Sequence, residues 1–255
     1  MIAATSLLFR RGAALLASIL TLGASACGDD TGEGGAGGGG EPCFETTLDA
    51  ALCDPASATF SLASTNPYYP LVVGSEVILE GTEDGELIRV ERRVLAETQV
   101  VAGVETHVLE AIEYVDGVVY EVARNYYVEA SDGTVCYFGE DVDFYENGVV
   151  VNNDGSWLAG ENGAKPGIIM PASPKVGDAY YQEVAPGIAE DMGRVGAVGL
   201  TDTFAGMSYD GVLQILDSNP IDDEDPCTDE EKLYIPGIGE AADTAKRMVS
   251  FTPGM

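Results

Sequence analysis

The sequence predicts a mainly β protein: a single domain of antiparallel meander strands forming a curved sheet or half-barrel, built from two related halves, with a β-sandwich as the alternative. Three observations predict it. Apolar and polar residues alternate with period two from Leu71 to Val151. Asx-Gly dipeptides interrupt that stretch at Asp84-Gly85, Asp116-Gly117, Asp132-Gly133 and Asn147-Gly148. No amphipathic helical pattern of ten or more residues follows the N-terminal leader.

The chain opens on an address. Arg10 and Arg11 precede an apolar run from Ala13 to Leu22 and then Gly23-Ala24-Ser25-Ala26-Cys27, the anatomy of a secretory signal peptide over residues 1–26. The run is too short for a transmembrane anchor, which needs about 20 apolar residues. Ala24-Ser25-Ala26-Cys27 resembles the lipobox of bacterial lipoproteins, in which Cys27 would be acylated after cleavage; plain cleavage is the alternative. Residues 27–42 then read as the lipidated cysteine and a linker, since Gly28 to Glu41 holds eight glycines and no large apolar side chain. Its r.m.s. reach is roughly 20 Å.

Residues 43–255 make the β domain. Val118, Tyr120, Val122, Tyr126 and Val128 alternate with Glu121, Asn125 and Glu129, as a half-buried strand does. Val104, Thr106, Val108, Ile112 and Tyr114 alternate with Glu105, His107 and Glu113, which places His107 on the wetter face. The Asx-Gly pairs supply the positive φ angles of tight hairpins. Later strands are expected at Asp178–Val184, Arg194–Leu200, Gly211–Leu216, Lys232–Ile235 and Lys246–Phe251. Pro67-Tyr68-Tyr69-Pro70 leads through Gly74 into one strand, and Pro171-Ala172-Ser173-Pro174 leads through Gly177 into another. The two openings mark halves 66–153 and 171–255 that build one sheet. Between them the loop 154–175, rich in Gly and Pro, carries Trp157 and Ile168-Ile169-Met170 and is read as a ligand cover or a self-pinned loop.

Besides Cys27 the chain holds Cys43, Cys53, Cys136 and Cys227, an even count that reads as two disulfides in an exported protein. Of three connectivities, Cys43–Cys53 around a short helix-like segment and Cys136–Cys227 are expected. A metal site would be the competing use, but no Cys-x-x-Cys pair occurs.

Twelve basic against 43 acidic residues give a net charge of −31, which repels nucleic acid and anionic head groups and leaves no nucleic-acid partner. Hydrophobic types at 45% are ordinary for a packed domain. Enzymatic constellations are scarce. His107 is the sole histidine, no Gly-x-Ser-x-Gly elbow occurs, and Gly160 to Pro166 lacks the ending of a phosphate loop. Carboxylate pairs among so many acids arise by chance, so no catalytic residue is assigned. Oxygen ligands crowd Asp222 to Glu231 at a density that suits Ca²⁺, but the spacing is not that of an Asp-x-Asp-x-Asp-Gly loop. Glu140, Asp141, Glu190 and Asp191 are the other acidic candidates for a metal, again without ligand-like spacing.

Four motifs in order, Tyr137-Phe138-Gly139-Glu140-Asp141-Val142, Gly155-Ser156-Trp157-Leu158-Ala159-Gly160, Gly163 to Ala172, and Gln182-Glu183 with Ala189-Glu190-Asp191, resemble an uncharacterised family of bacterial secreted proteins and lipoproteins. Lys232 to Gly239 looks like the closing strand of half-barrel envelope lipoproteins that carry or sense lipids. The resemblance implies a lipid-anchored protein of the bacterial cell envelope, on the periplasmic side or at the surface. It assigns no activity. The expected function is a non-catalytic binding module for a lipid or other apolar small molecule, with no resident cofactor. A structural surface lipoprotein is the alternative, and a calcium-binding or hydrolytic protein the third reading.

Overall fold

The computed structural model describes residues 40–222 and 226–255. The expected signal peptide 1–26, Cys27, most of the expected linker, and Asp223, Glu224 and Asp225 of the acidic run lie outside the described residues. A short 3-10 turn, Ala50–Cys53, is followed by β1 (Phe60–Ser61), β2 (Glu76–Glu83), β3 (Glu86–Val101), β4 (Val104–Val115), β5 (Val118–Ala130), β6 (Val135–Glu146), β7 (Val149–Asn152), β8 (Trp157–Leu158) and β9 (Gly167–Met170). The second half supplies β10 (Ala179–Tyr181), β11 (Met192–Phe204), β12 (Met207–Ser218), β13 (Glu230–Ile235), β14 (Gly239–Asp243) and β15 (Lys246–Thr252). Among the described residues no helix is long and apolar enough to cross a membrane.

All strands belong to one antiparallel sheet that is not closed into a barrel. Its order runs β10-β11-β12-β13-β14-β15 and then β2-β3-β4-β5-β6-β7, so the last strand of the chain pairs with the first long one. Met248 lies opposite Leu79 and Phe251 opposite Val77 in that seam. The sheet is therefore a continuous curved surface made of two meanders joined end to end. Asp84, Asp116 and Asn147 have positive φ, as does the glycine after each, which are the hairpin turns their Asx-Gly sequences require.

The two halves open in the same way. Val72 and Lys175 each accept a bond from the residue three on, Ser75 and Asp178. Gly74 then donates to the Val94 carbonyl and Gly177 to the Val195 carbonyl, while Val94 and Val195 donate back to Ser75 and Asp178. A strand the sequence did not announce is β14. Its Gly239, Ala241 and Ala242 are buried but too small to leave a visible alternation.

The inner face is filled by the chain itself. Residues 62–71 lie across it: Thr65 and Asn66 donate backbone N–H groups to Glu129 on β5, Tyr68 donates its hydroxyl to the Gly211 carbonyl within β12, and Pro67 accepts from Gly237. The same segment corrects the placement of His107. That side chain is buried, not on a wet face, because Nε2 lies 2.8 Å from the Leu62 carbonyl.

The disulfides are Cys43–Cys227 and Cys53–Cys136, with Cα separations of 5.1 and 5.6 Å. This corrects the expected Cys43–Cys53 and Cys136–Cys227 pairing. Residues 43–53 do not close on themselves. Thr47 and Leu48 donate instead to the Ala179 carbonyl at the start of β10, which draws the segment along the sheet edge and delivers Cys53 to β6. Two such bonds mark an oxidising, extracytoplasmic compartment.

Candidate functional site

A recess of about 170 Å³ opens where the 154–175 segment meets the turn after β10. That segment is more ordered than a loop. Trp157 on β8 pairs with Glu140 of β6, and Ile168 on β9 pairs with Cys136. Gly139 permits the first contact: at φ +132° an added Cβ would sit 2.3 Å from the Trp157 carbonyl oxygen. An isolated bridge from Lys165 to Val184 then ties this edge to the chain leaving β10.

Trp157, Leu158, Ala164, Ala185, Pro186 and Ile188 form the apolar walls of the recess. Asp141, Ser156, Glu161 and Asn162 supply its polar groups. Tyr126 donates its hydroxyl to Asp141 Oδ2 at 2.5 Å, fixing that carboxylate from β5. Ser156 is held by the Val142 backbone N–H, which donates to Oγ at 2.9 Å. Of the expected cover residues, Trp157 lines the recess. Ile168, Ile169 and Met170 do not, being buried in the core.

Comparison of the chain with protein-family models, curated proteins and solved structures returns no match. Its chemistry is therefore read from its own residues.

Beneath Trp157 lies a second group of polar side chains. The indole N–H donates to Glu183 Oε1 at 3.4 Å. Burial pushes the Glu183 carboxyl well above its usual range, and repulsion from Asp191 and Glu140 adds to the effect. Glu140 and Asp191 retain some exposed surface, yet enough protein surrounds their carboxyls to raise both. Burial, then Glu121 and Asp191, push Glu140 up to about 8 against a hydrogen bond from Tyr137. Burial raises Asp191 to about 6 against the attraction of Lys232. At neutral pH Glu140 is thus mostly a neutral acid.

Ion pairs continue this network along the inner face. Lys232 Nζ lies 2.5 Å from Asp217 Oδ2, and Gln182 donates to Asp217 Oδ1 at 2.9 Å. Burial alone would lower Lys232, but Asp217, Asp243 and Glu240 outweigh it and hold the ammonium well above its ordinary value. Arg92 pairs with Glu240, and the rings of Tyr69, Tyr127, Tyr137 and Trp157 form a row of T-shaped and tilted contacts between them and the recess.

The four acidic candidates separate by role. Glu140 and Asp191 come together with Glu183, while Asp141 faces the recess. Glu190 is a staple: its two oxygens accept from the backbone N–H of Gly187 at 2.7 Å and of Gly40 at 3.1 Å. In the 222–231 run, Asp229 accepts from Arg194 and Ser218, and Glu231 from Gln214. Among the described residues no group of three or more His, Cys, Asp or Glu side chains is arranged to hold a metal ion. Glu183, Lys232, Arg92, Asp217 and Glu240 are members of the network to which the sequence analysis gave no role. Glu183 sat within a family-like motif, and a lysine inside an alternating strand was the other available signal.

Proposed function

We propose that the protein is a lipid-anchored, non-catalytic binding module of the bacterial cell envelope that takes a small, partly apolar ligand in the recess beside Trp157. The observation that supports this is the composition of the recess: six apolar walls and four polar groups, the pattern of a ligand pocket with few anchors. The inner face of the sheet is a poorer place for a lipid, because Tyr127 and Tyr234 pack with Tyr69 on it, Tyr137 packs with Tyr127, and residues 62–71 cross it. The anchoring part of the reading rests on Ala24-Ser25-Ala26-Cys27 and the glycine-rich stretch after it. Glu190 favours a membrane-facing recess, since it binds both the end of that stretch at Gly40 and the turn that carries Pro186 and Ile188.

A filled inner face also favours the second reading, a structural lipoprotein without ligand. Solvent extraction of protein purified from its own envelope, followed by mass spectrometry, decides between them. A co-purifying small molecule that is lost when Ala164 or Ala185 is changed to Leu supports the binding module. No such molecule supports the structural reading. Acylation is tested by the mass of the N-terminal peptide and by Cys27→Ser, which is expected to release the protein into the soluble envelope fraction.

A further inference from the structure

The recess carries a charge bias that its apolar walls do not explain. Its charged lining groups are Asp141 and Glu161, and no Lys or Arg lines it. Lys165, next in sequence to the wall residue Ala164, and Arg124, opposite Asp141 across the β5–β6 ladder, are not among the lining residues. Arg124 is engaged with Glu110 at 3.2 Å. Glu161 sits in a tight turn in which its N–H donates to the Leu158 carbonyl and its carbonyl accepts from Ala164. The Asp141 carboxylate is held by Tyr126, and the backbone turn places Glu161 on the rim of the same small cavity. Trp157 turns its N–H inward to Glu183, so the recess meets the hydrocarbon part of the indole.

We propose that the recess binds a small organic cation, an alkyl ammonium whose head lies between Asp141 and Glu161 and whose hydrocarbon lies along Trp157 and Ile188. This rests on the reading of the recess as a ligand site and adds the ligand's chemical class. An anionic amphiphile would meet two carboxylates in a chain of net charge −31 with no cation in the lining. An ammonium gains both carboxylates, while its hydrocarbon is covered by Trp157 and Ile188. The walls disfavour a simple metal ion as the occupant, because six of the ten lining residues offer no side-chain oxygen.

Trp157 is the only tryptophan of the chain, so its fluorescence reports the recess without a label. The purified mature protein is titrated at pH 7 with hexylammonium, hexanol and hexanoate at matched ionic strength. Hexylammonium is expected to bind about five- to ten-fold more tightly than hexanol, with hexanoate the weakest. Asp141→Asn and Glu161→Gln should each weaken the ammonium about three-fold and leave hexanol unchanged. Glu146→Gln, which removes one charge at the β6–β7 turn, should alter nothing. Equal affinity for ammonium and alcohol overturns the cation assignment while the binding module stands. An equal loss on Glu146→Gln also overturns it, since the preference would then belong to the net charge of the chain. If no probe changes the fluorescence, the ligand site and its cation preference fall together.

Discussion

Arg92 and Glu240 form an ion pair between the two halves of the sheet, Arg92 from β3 and Glu240 from β14. Their side chains are 18% and 6% exposed, so neither charge has water as an adequate alternative partner. Tyr69, from the segment that crosses the inner face, accepts from Arg92 at 3.3 Å, and Tyr234 donates to Glu240 at 3.4 Å. One pair thus joins both meanders and the segment that fills them.

Glu240→Gln should destabilise the domain by about 3–5 kcal/mol, because it leaves a buried guanidinium without its counter-charge. Replacing both partners, Arg92→Met with Glu240→Leu, should cost far less. Thermal melts of the single and double variants check this. A double variant as unstable as the single one would mean that packing, not the orphaned charge, sets the cost.

Stability should fall as pH rises. Glu140 holds its proton in the fold up to about 8 against an ordinary value of 4.5, and Asp191 up to about 6 against 3.8. Between those limits the folded state binds more protons than the unfolded chain. Their contribution is complete below the ordinary values and is lost as pH rises through the raised ones, at about 1.4 kcal/mol per pH unit for each group. Asp202 and Asp243, both lowered, act in the opposite direction, and their contribution disappears only below about 3.8. Denaturant titrations from pH 5 to 8.5 should therefore show decreasing stability, with the slope reduced in Glu140→Gln. A flat profile in the native protein would refute the buried-acid assignment.

Peptide mapping under non-reducing conditions should recover Cys43 with Cys227 and Cys53 with Cys136. Closing loops with separations of 184 and 83 residues is worth about 5 kcal/mol each on the chain-entropy model. Cys53→Ser with Cys136→Ser should lower stability by about 2–5 kcal/mol. A Cys43–Cys53 peptide would contradict the path of the N-terminal segment along β10.

Gly139→Ala should separate β8 from β6, since the new methyl group would strike the Trp157 carbonyl in a backbone conformation that alanine avoids. The expected cost is about 2–4 kcal/mol, with a red shift of Trp157 emission as the indole loses its buried site. Unchanged emission would show that the recess wall does not depend on this contact.

Much of the sheet could be read along the chain. Strands β2 to β6 fall in the stretch that alternates along the chain, although β4, β5 and β6 each bury consecutive residues where other segments cover both faces, and hairpins such as Asp116-Gly117 need positive φ at both positions. The candidate site was legible only in part. Trp157 and Asp141 stood in recognisable motifs, but Ala164, Ala185 and Ile188 carry no chemical signal, and only their positions make a wall.

By itself the sequence determined the fold class, the repeated opening at Gly74 and Gly177 and the even cysteine count, because period, turn chemistry and composition are local properties. The tertiary structure alone decided which cysteines pair, that His107 is buried, and that Glu183 joins Glu140 and Asp191. The first two depend on the route of residues 43–71; the third depends on the Glu140–Trp157 pairing and the Lys165–Val184 bridge, with Glu183 donating its backbone N–H to the Asp191 carbonyl. Burial then sets the charge state of the carboxyls, and no pattern along the chain records how much protein will surround a given side chain.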